Sequence, residues 1–242
     1  MMTFNTLKSW LTAIVCCMAL AVSGQITAGK IVFERKTNLF KKFTDEGTKQ
    51  WLGEKNKIRI EQFELFFNDS ISLFRPIESD LKDELEWATS KNTVYQNLNN
   101  ETRLSILSVW GEKIYIQDST IQRTWKMTES HRKIGKYDCR KAIWEVNDST
   151  RIYAWYADEI IPTVGPETFS GLPGAILGLA TEDGGVIYFA KSVEAMQPDF
   201  TKLVPTTGKN KVYKTAEIRA KLEKDFGGKP WGKTLIRELF MW

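Results

Sequence analysis

The residues able to do chemistry are few and widely scattered. A thiol nucleophile needs a base within reach, and a structural zinc site needs about four ligands. The sequence offers Cys139, in KYDCRKAIWEV, and a single histidine, His131, a short way upstream. One thiol and one imidazole make at most half a zinc site. Cys139 opens an alternating segment and reads as a small buried hydrophobe, the alternative being a reactive or metal-binding thiol. His131 precedes Arg132 and Lys133 in a polar stretch and reads as exposed. Asp158 and Glu159 form an adjacent carboxylate pair, but neighbouring strand residues point to opposite faces and cannot easily share a substrate proton. No G-x-S-x-G elbow is present. These residues call for no cofactor and no metal.

Residues 162–180, PTVGPETFSGLPGAILGLA, pose the sharper question. A phosphate-cradling loop needs G-x-G-x-x-G spacing or a closing Gly-Lys-Ser/Thr, and Gly171, Gly174 and Gly178 have neither. Gly174 and Gly178 fit G-x-x-x-G, which has meaning only inside an apolar span of about twenty residues. Here Asp183, Gly184 and Gly185 end the run. What remains is a rigid apolar corner. Pro162, Pro166 and Pro173 fix φ and favour extended backbone before them. Gly165 and Pro166 mark one bend, and Gly171 and Gly174 bracket Leu172-Pro173 as a tight turn. Ala175 to Ala180 then runs as a buried strand, with Gly178 where a bulky neighbour comes close.

Aromatic residues give the stronger functional lead. Trp144, Tyr153, Trp155 and Tyr156 fall on two neighbouring predicted strands, with Phe169 and Leu172 in the loop beyond. Alternation puts Tyr153 and Trp155 on one face and Ile152, Ala154 and Tyr156 on the other. Both faces are apolar, so the hairpin is either covered twice or lines a cavity. Trp144, Tyr153, Trp155, Phe169, Leu172 and Ile176 are the candidate contacts for an apolar ligand or extended partner. Core packing explains the same residues.

The elements that must position these residues read as mainly β. KIVFE, IRIEQFELFF, LSILSVWG, KIYIQDS, RTWKMTES, KAIWEVND, RIYAWYAD and VIYFAKSVEAM are short, β-branched or aromatic, and bounded by turn residues. Residues 36–52 read as helix or loop, and residues 78–103 as loop with a short helical turn. TAEIRAKLEKDF places Ile218, Leu222 and Phe226 on one helical face and stops at Gly227-Gly228. The terminal LIRELFMW shares only its last aromatic with outer-membrane barrel strands, because Arg237 and Glu238 break the alternation. The expected fold is a curved antiparallel sheet or half-barrel, with one or two packed helices including the C-terminal amphipathic one. In this shape it is analogous to envelope lipid and lipoprotein carriers.

Residues 1–24 have the layout of a cleaved signal peptide: Lys8, an apolar run from Trp10 to Val22, then Ser23 and Gly24. The run is short for a span of about twenty residues. Cleavage would remove Cys16 and Cys17, leaving residues 25–242 as a single domain with Cys139 as its one thiol. Of the 242 residues, 42% are hydrophobic and 26% charged, and the net charge of +4 is spread rather than clustered. The spread charge argues against nucleic-acid binding, and past the leader no other apolar run reaches spanning length, which argues against an integral helical membrane span.

The stretch from Ile134 to Val193 resembles the GLPGLI family of exported bacterial proteins. IGKYDCRKA, IYAWYADEI with its following proline, Gly165-Pro166 and FSGLPGAILGL carry the resemblance in order. The sequence departs from the family pattern at Ala175, where the family name has leucine, and at Gly178-Leu179, where an acidic residue is common. The resemblance implies export in Bacteroidota-type bacteria and a place in the periplasm or at the outer membrane; it supplies no activity. Ser70, Ser119 and Ser149 follow aspartates in turns and resemble the O-glycosylation motif of such bacteria. The expectation is a non-enzymatic envelope protein that binds an apolar ligand or an envelope protein through its aromatic sheet and GLPG corner. The alternative is an envelope hydrolase or peptidase-associated factor using Cys139 or acidic residues.

Overall fold

The computed structural model describes residues 24–78, 84–109, 111–147, 150–229 and 231–242. Residues 1–23 of the expected leader and Ser149 therefore lie outside the described residues. In chain order the strands are β1 (Gly29–Asn38), β2 (Ile58–Phe67), β3 (Ile71–Pro76), β4 (Thr93–Asn97), β5 (Thr102–Val109) and β6 (Glu112–Ser119). They continue as β7 (Lys126–Ile134), β8 (Tyr137–Asn147), β9 (Thr150–Ala157), β10 (Ala175–Thr181), β11 (Val186–Ala195) and β12 (Val212–Tyr213). The helices are α1 (Leu39–Lys42), α2 (Glu46–Leu52), α3 (Phe200–Leu203), α4 (Thr215–Phe226) and α5 (Gly232–Met241).

All strands join one open sheet in the order β12-β6-β5-β4-β3-β2-β1-β11-β10-β9-β8-β7. Two antiparallel meanders, β2 to β6 and β7 to β11, flank β1, which pairs with β2 on one side and β11 on the other. β1 owes its central place to strict alternation: Ile31, Phe33, Arg35 and Thr37 are buried on one face. The main core gathers inward residues from β1, β2, β3 and β4 together with β8, β9, β10 and β11. One face of the sheet thus curls around a shared interior, with Phe63 stacked on Phe74 at 5.0 Å and Tyr188 set edge-on to both.

Helices α4 and α5 close the β5–β6 end of that interior. Ile218 and Leu222 of α4, with Ile236 and Leu239 of α5, bury against Leu107, Val109 and Ile116. Met241 and Trp242 then reach the main core. On the outer face of β2 and β3, Phe66 and Leu73 are covered by Phe200 of α3. None of the described helices is long and apolar enough to cross a membrane.

One local expectation changes. Residues 78–103 contain the expected helical turn at Glu86–Ala88 but also strand β4. On β2 the inward row is Glu61, Phe63, Leu65 and Phe67, which leaves Ile58 and Ile60 exposed. In both places polar side chains point into the protein, opposite to the usual pattern. The terminal LIRELFMW lies almost wholly in helix α5.

Candidate functional site

Cys139 is fully enclosed on β8, its sulfur 3.8 Å from the Tyr137 carbonyl. Burial, with help from the charge of Asp138, pushes the thiol up to about 12, so it stays neutral and behaves as a small hydrophobe. His131 is exposed on the edge strand β7, with Nδ1 3.5 Å from Asp138. Asp158 and Glu159 are exposed in the turn after β9. Among the described residues no group of His, Cys, Asp and Glu is disposed to hold a metal ion.

The GLPG corner is tight. The Gly174 N–H donates to the Leu172 carbonyl at 2.7 Å, a γ-turn centred on Pro173. Gly174 has φ +139°, and a side chain there would collide with the Ala157 carbonyl oxygen. At Gly178 a Cβ would lie 2.8 Å from the Phe189 ring and 3.0 Å from Ile134. β10 slips register against β9 between Ile176 and Gly178, a bulge at Leu177.

The six candidate contacts separate. Phe169, Leu172 and Ile176 are sealed in the core. Tyr153 and Trp155 face the other side of the sheet, where Trp155 packs against Phe189, Lys141 lies over Tyr153, and Glu182 accepts from the Tyr153 hydroxyl at 2.8 Å. Trp144 points inward, edge-on to Phe169 at 5.8 Å. Ser70 lies in the turn between β2 and β3 and Ser119 is exposed at the end of β6.

A buried polar network has formed where alternation left charges inward. Arg35 of β1 donates to Glu61 Oε2 through Nη2 at 2.6 Å and Nε at 3.2 Å, and to the Tyr188 hydroxyl at 3.2 Å. Glu61 Oε1 accepts from Thr89 at 2.8 Å and lies 3.1 Å from Arg59 Nε. Glu167 Oε1 accepts from Tyr188 at 2.8 Å and Oε2 from Asn92 at 3.3 Å; Arg35 Nη1 stands 3.8 Å away. Burial opposes the charge on Arg35, yet its surroundings hold it above its ordinary value. Because burial keeps Tyr188 neutral, Glu61 is the charged partner that counts for Arg35 at neutral pH. Burial also opposes Glu61, but Arg35 holds it below the usual glutamate range. For Glu167 burial wins over Arg35, and its carboxyl is raised. Glu167 also has φ +54°, uncommon for a residue with a side chain.

Helix α5 lies across the open mouth with a cavity on each side. One, about 360 Å³, is lined by Arg35, Asn92, Glu167, Val186, Met241 and Trp242, with Lys41, Lys42 and Arg151 among the charged residues around it. The other, about 570 Å³, is lined by Trp144, Val146, Ile236 and Phe240, with Arg219 and Lys233. Arg237 and Met241 line both. Both volumes fall in the range of small-molecule sites. Trp242 packs its ring against Phe169 and Tyr188 at 5.8 Å each, and Thr168 donates to its carbonyl through N–H and hydroxyl. Of the six candidates, Trp144 alone lines either cavity.

Sequence reasoning missed Glu167, Arg35, Glu61 and α5. The available signal was a charge at an inward position: Arg35 continues the Ile31–Phe33 row, and Glu61 continues the Phe63–Leu65 row. Glu167 lies between Gly165-Pro166 and Phe169, in a loop whose closing residues are core, where a lone carboxylate is out of place.

The profile of a family described as "Protein of unknown function (Porph_ging)" matches residues 143–178, from β8 into β10. No curated protein sequence matches. Among solved structures, PNGF-II in its C2 and P21 crystal forms aligns at 17% identity with TM-scores of 0.52 and 0.51, over 77% and 78% of this chain. The chain spans only 30% and 31% of the length of those PNGF-II chains, and the likeness is one of fold. An uncharacterized conserved protein from Thermus thermophilus aligns over 84% of this chain and 99% of its own at 5% identity, with a TM-score of 0.42.

Proposed function

We propose that the chain is a non-catalytic, ligand-binding domain of an exported cell-envelope protein, and that its ligand is an elongated amphiphile seated along α5. The observation that carries this reading is the pair of cavities along α5 that share Arg237 and Met241 in their walls. An apolar chain lying there would cover Trp144, Val146, Phe240 and Met241, and its polar end would meet Arg237. The sealed positions of Phe169, Leu172 and Ile176 make them the wall behind the seat rather than contacts. Export rests on the leader-like residues 1–24, and the intact mass of the protein secreted by its host tests both cleavage and sugar at Ser70, Ser119 and Ser149.

Binding is measured by displacing a polarity-sensitive dye with a single-chain lysolipid. Phe240→Ala and Trp144→Ala weaken displacement at least tenfold, while Tyr153→Ala and Trp155→Ala, on the far face of the sheet, leave it unchanged. Equal effects from all four variants would sink the α5 seat.

A hydrolase reading draws support from one observation, the buried Glu167 lining a cavity with a raised carboxyl. Both of its oxygens already accept hydrogen bonds from Tyr188 and Asn92. If Glu167→Gln abolished a turnover of envelope glycan or peptide that wild type performs, catalysis would replace carriage as the better account.

A further inference from the structure

The inward face of β3 to β5 carries a polar row. Gln96 pairs across the sheet with Ser72 and with Arg103, and Ser105 follows Arg103 two residues along on the same face. Arg103 is 7% exposed and donates to Thr215 Oγ1 at 3.0 Å, at the start of α4. Arg123, on the connection from β6 to β7, has its guanidinium 3.9 Å from the Phe169 ring centre and 4.8 Å from that of Trp144. It donates to the Thr168 carbonyl at 2.7 Å and to Thr168 Oγ1 at 2.8 Å.

These bonds leave much unanswered. Arg103 Nε, Arg123 Nε, Gln96 Oε1 and Ser105 Oγ are buried without a hydrogen-bond partner. Among the described residues no carboxylate forms an ion pair with either arginine. Asp118 acts on Arg103 from farther off while its Oδ2 accepts the Thr215 N–H at 3.1 Å. Burial, then repulsion from Arg103, pushes Arg123 down to about 9. Two buried like charges and the unmet Nε–H and Ser105 O–H donors cost stability, and a single oxyanion would answer these, whereas Gln96 Oε1 is an acceptor that an anion does not satisfy. Guanidinium forks match the oxygens of phosphate, sulfate or carboxylate, and a hydroxyl adds a donor.

We infer that Arg103 and Arg123, with the Ser105 hydroxyl, form an oxyanion seat inside the curved sheet. The oxyanion is either a free inorganic ion or the acidic end of a longer molecule. The seat does not depend on the amphiphile along α5: Phe240→Ala, which removes a wall of that groove, leaves anion binding in place.

Thermal unfolding of the purified mature chain tests this, with phosphate replacing chloride at constant ionic strength. Near a hundredfold excess over the dissociation constant, the midpoint rises by roughly 5–10 °C. Arg123→Met cancels the rise. If that variant does not fold, Arg123→Lys and Ser105→Ala each reduce it. Dodecyl phosphate acting at much lower concentration than inorganic phosphate identifies the acidic end of a longer molecule; equal action identifies a free ion. A midpoint that responds to neither, or a rise unchanged in all three variants, overturns the seat.

Discussion

Arg35 and Arg103 occupy inward positions on strands of one sheet and are almost equally buried, yet their surroundings are opposite. Arg35 is closed in by Glu61, Tyr188 and Glu167, with nearly every polar atom answered. Arg103 meets a threonine hydroxyl, leaves its Nε unmet, and has another arginine for a neighbour. The difference separates a polar cluster built for the fold from one that awaits a charge. A single loop serves both: Glu167 reaches the Arg35 network, and the next residue, Thr168, reaches Arg123 and Trp242.

Breaking that loop's corner has the largest expected effect. Gly174→Ala adds left-handed strain to a collision with backbone, so urea denaturation shows a loss of roughly 4–5 kcal/mol or no folded protein. A loss below about 1 kcal/mol would mean that the corner yields. Next comes the contrast between the two arginines. Arg35→Met removes both hydrogen bonds to Glu61 Oε2 and leaves the buried carboxylate with Arg59 and Thr89 alone, at a cost of about 3–5 kcal/mol. Arg103→Met, measured without phosphate, changes stability by less than about 1 kcal/mol or raises it, because no ion pair is lost. Equal costs would erase the distinction.

The smallest effect separates two carboxylates by pH. Glu61 is held below the ordinary value of 4.5, so its stabilisation is present above that pH and lost as pH falls through its folded value. Glu167 is raised above 4.5, so it costs nothing below that pH, and its cost grows as pH rises from 4.5 towards its folded value and is full above it. Glu167→Gln is therefore more stable than wild type at pH 7, and the advantage disappears by about pH 4. A constant difference across that range would show that the Glu167 charge is not what matters.

The apolar half of this molecule could be read from its sequence because burial and alternation agree there. Ala175 to Ala180, the Ile152–Ala154–Tyr156 row and the Ile218–Leu222 helix face all bury as their spacing indicates. β4 was hidden because Gln96 and, just before the strand, Asn92 are polar and yet buried. β2 shows the same cause at work: its inner row belongs to Glu61 and Phe63 and leaves Ile58 and Ile60 exposed. The candidate site was less legible still, since it joins β1, β2, β11, the loop at Glu167 and helix α5, residues far apart in sequence whose only local mark is a charge in an apolar row.

Native mass spectrometry of the protein purified from its own host tests most directly whether α5 roofs a ligand seat. Ligand carriage predicts an added noncovalent mass in wild type that disappears in Phe240→Ala and Trp144→Ala but persists in Tyr153→Ala. A bare polypeptide mass in wild type, under conditions that keep other lipid complexes intact, would contradict it.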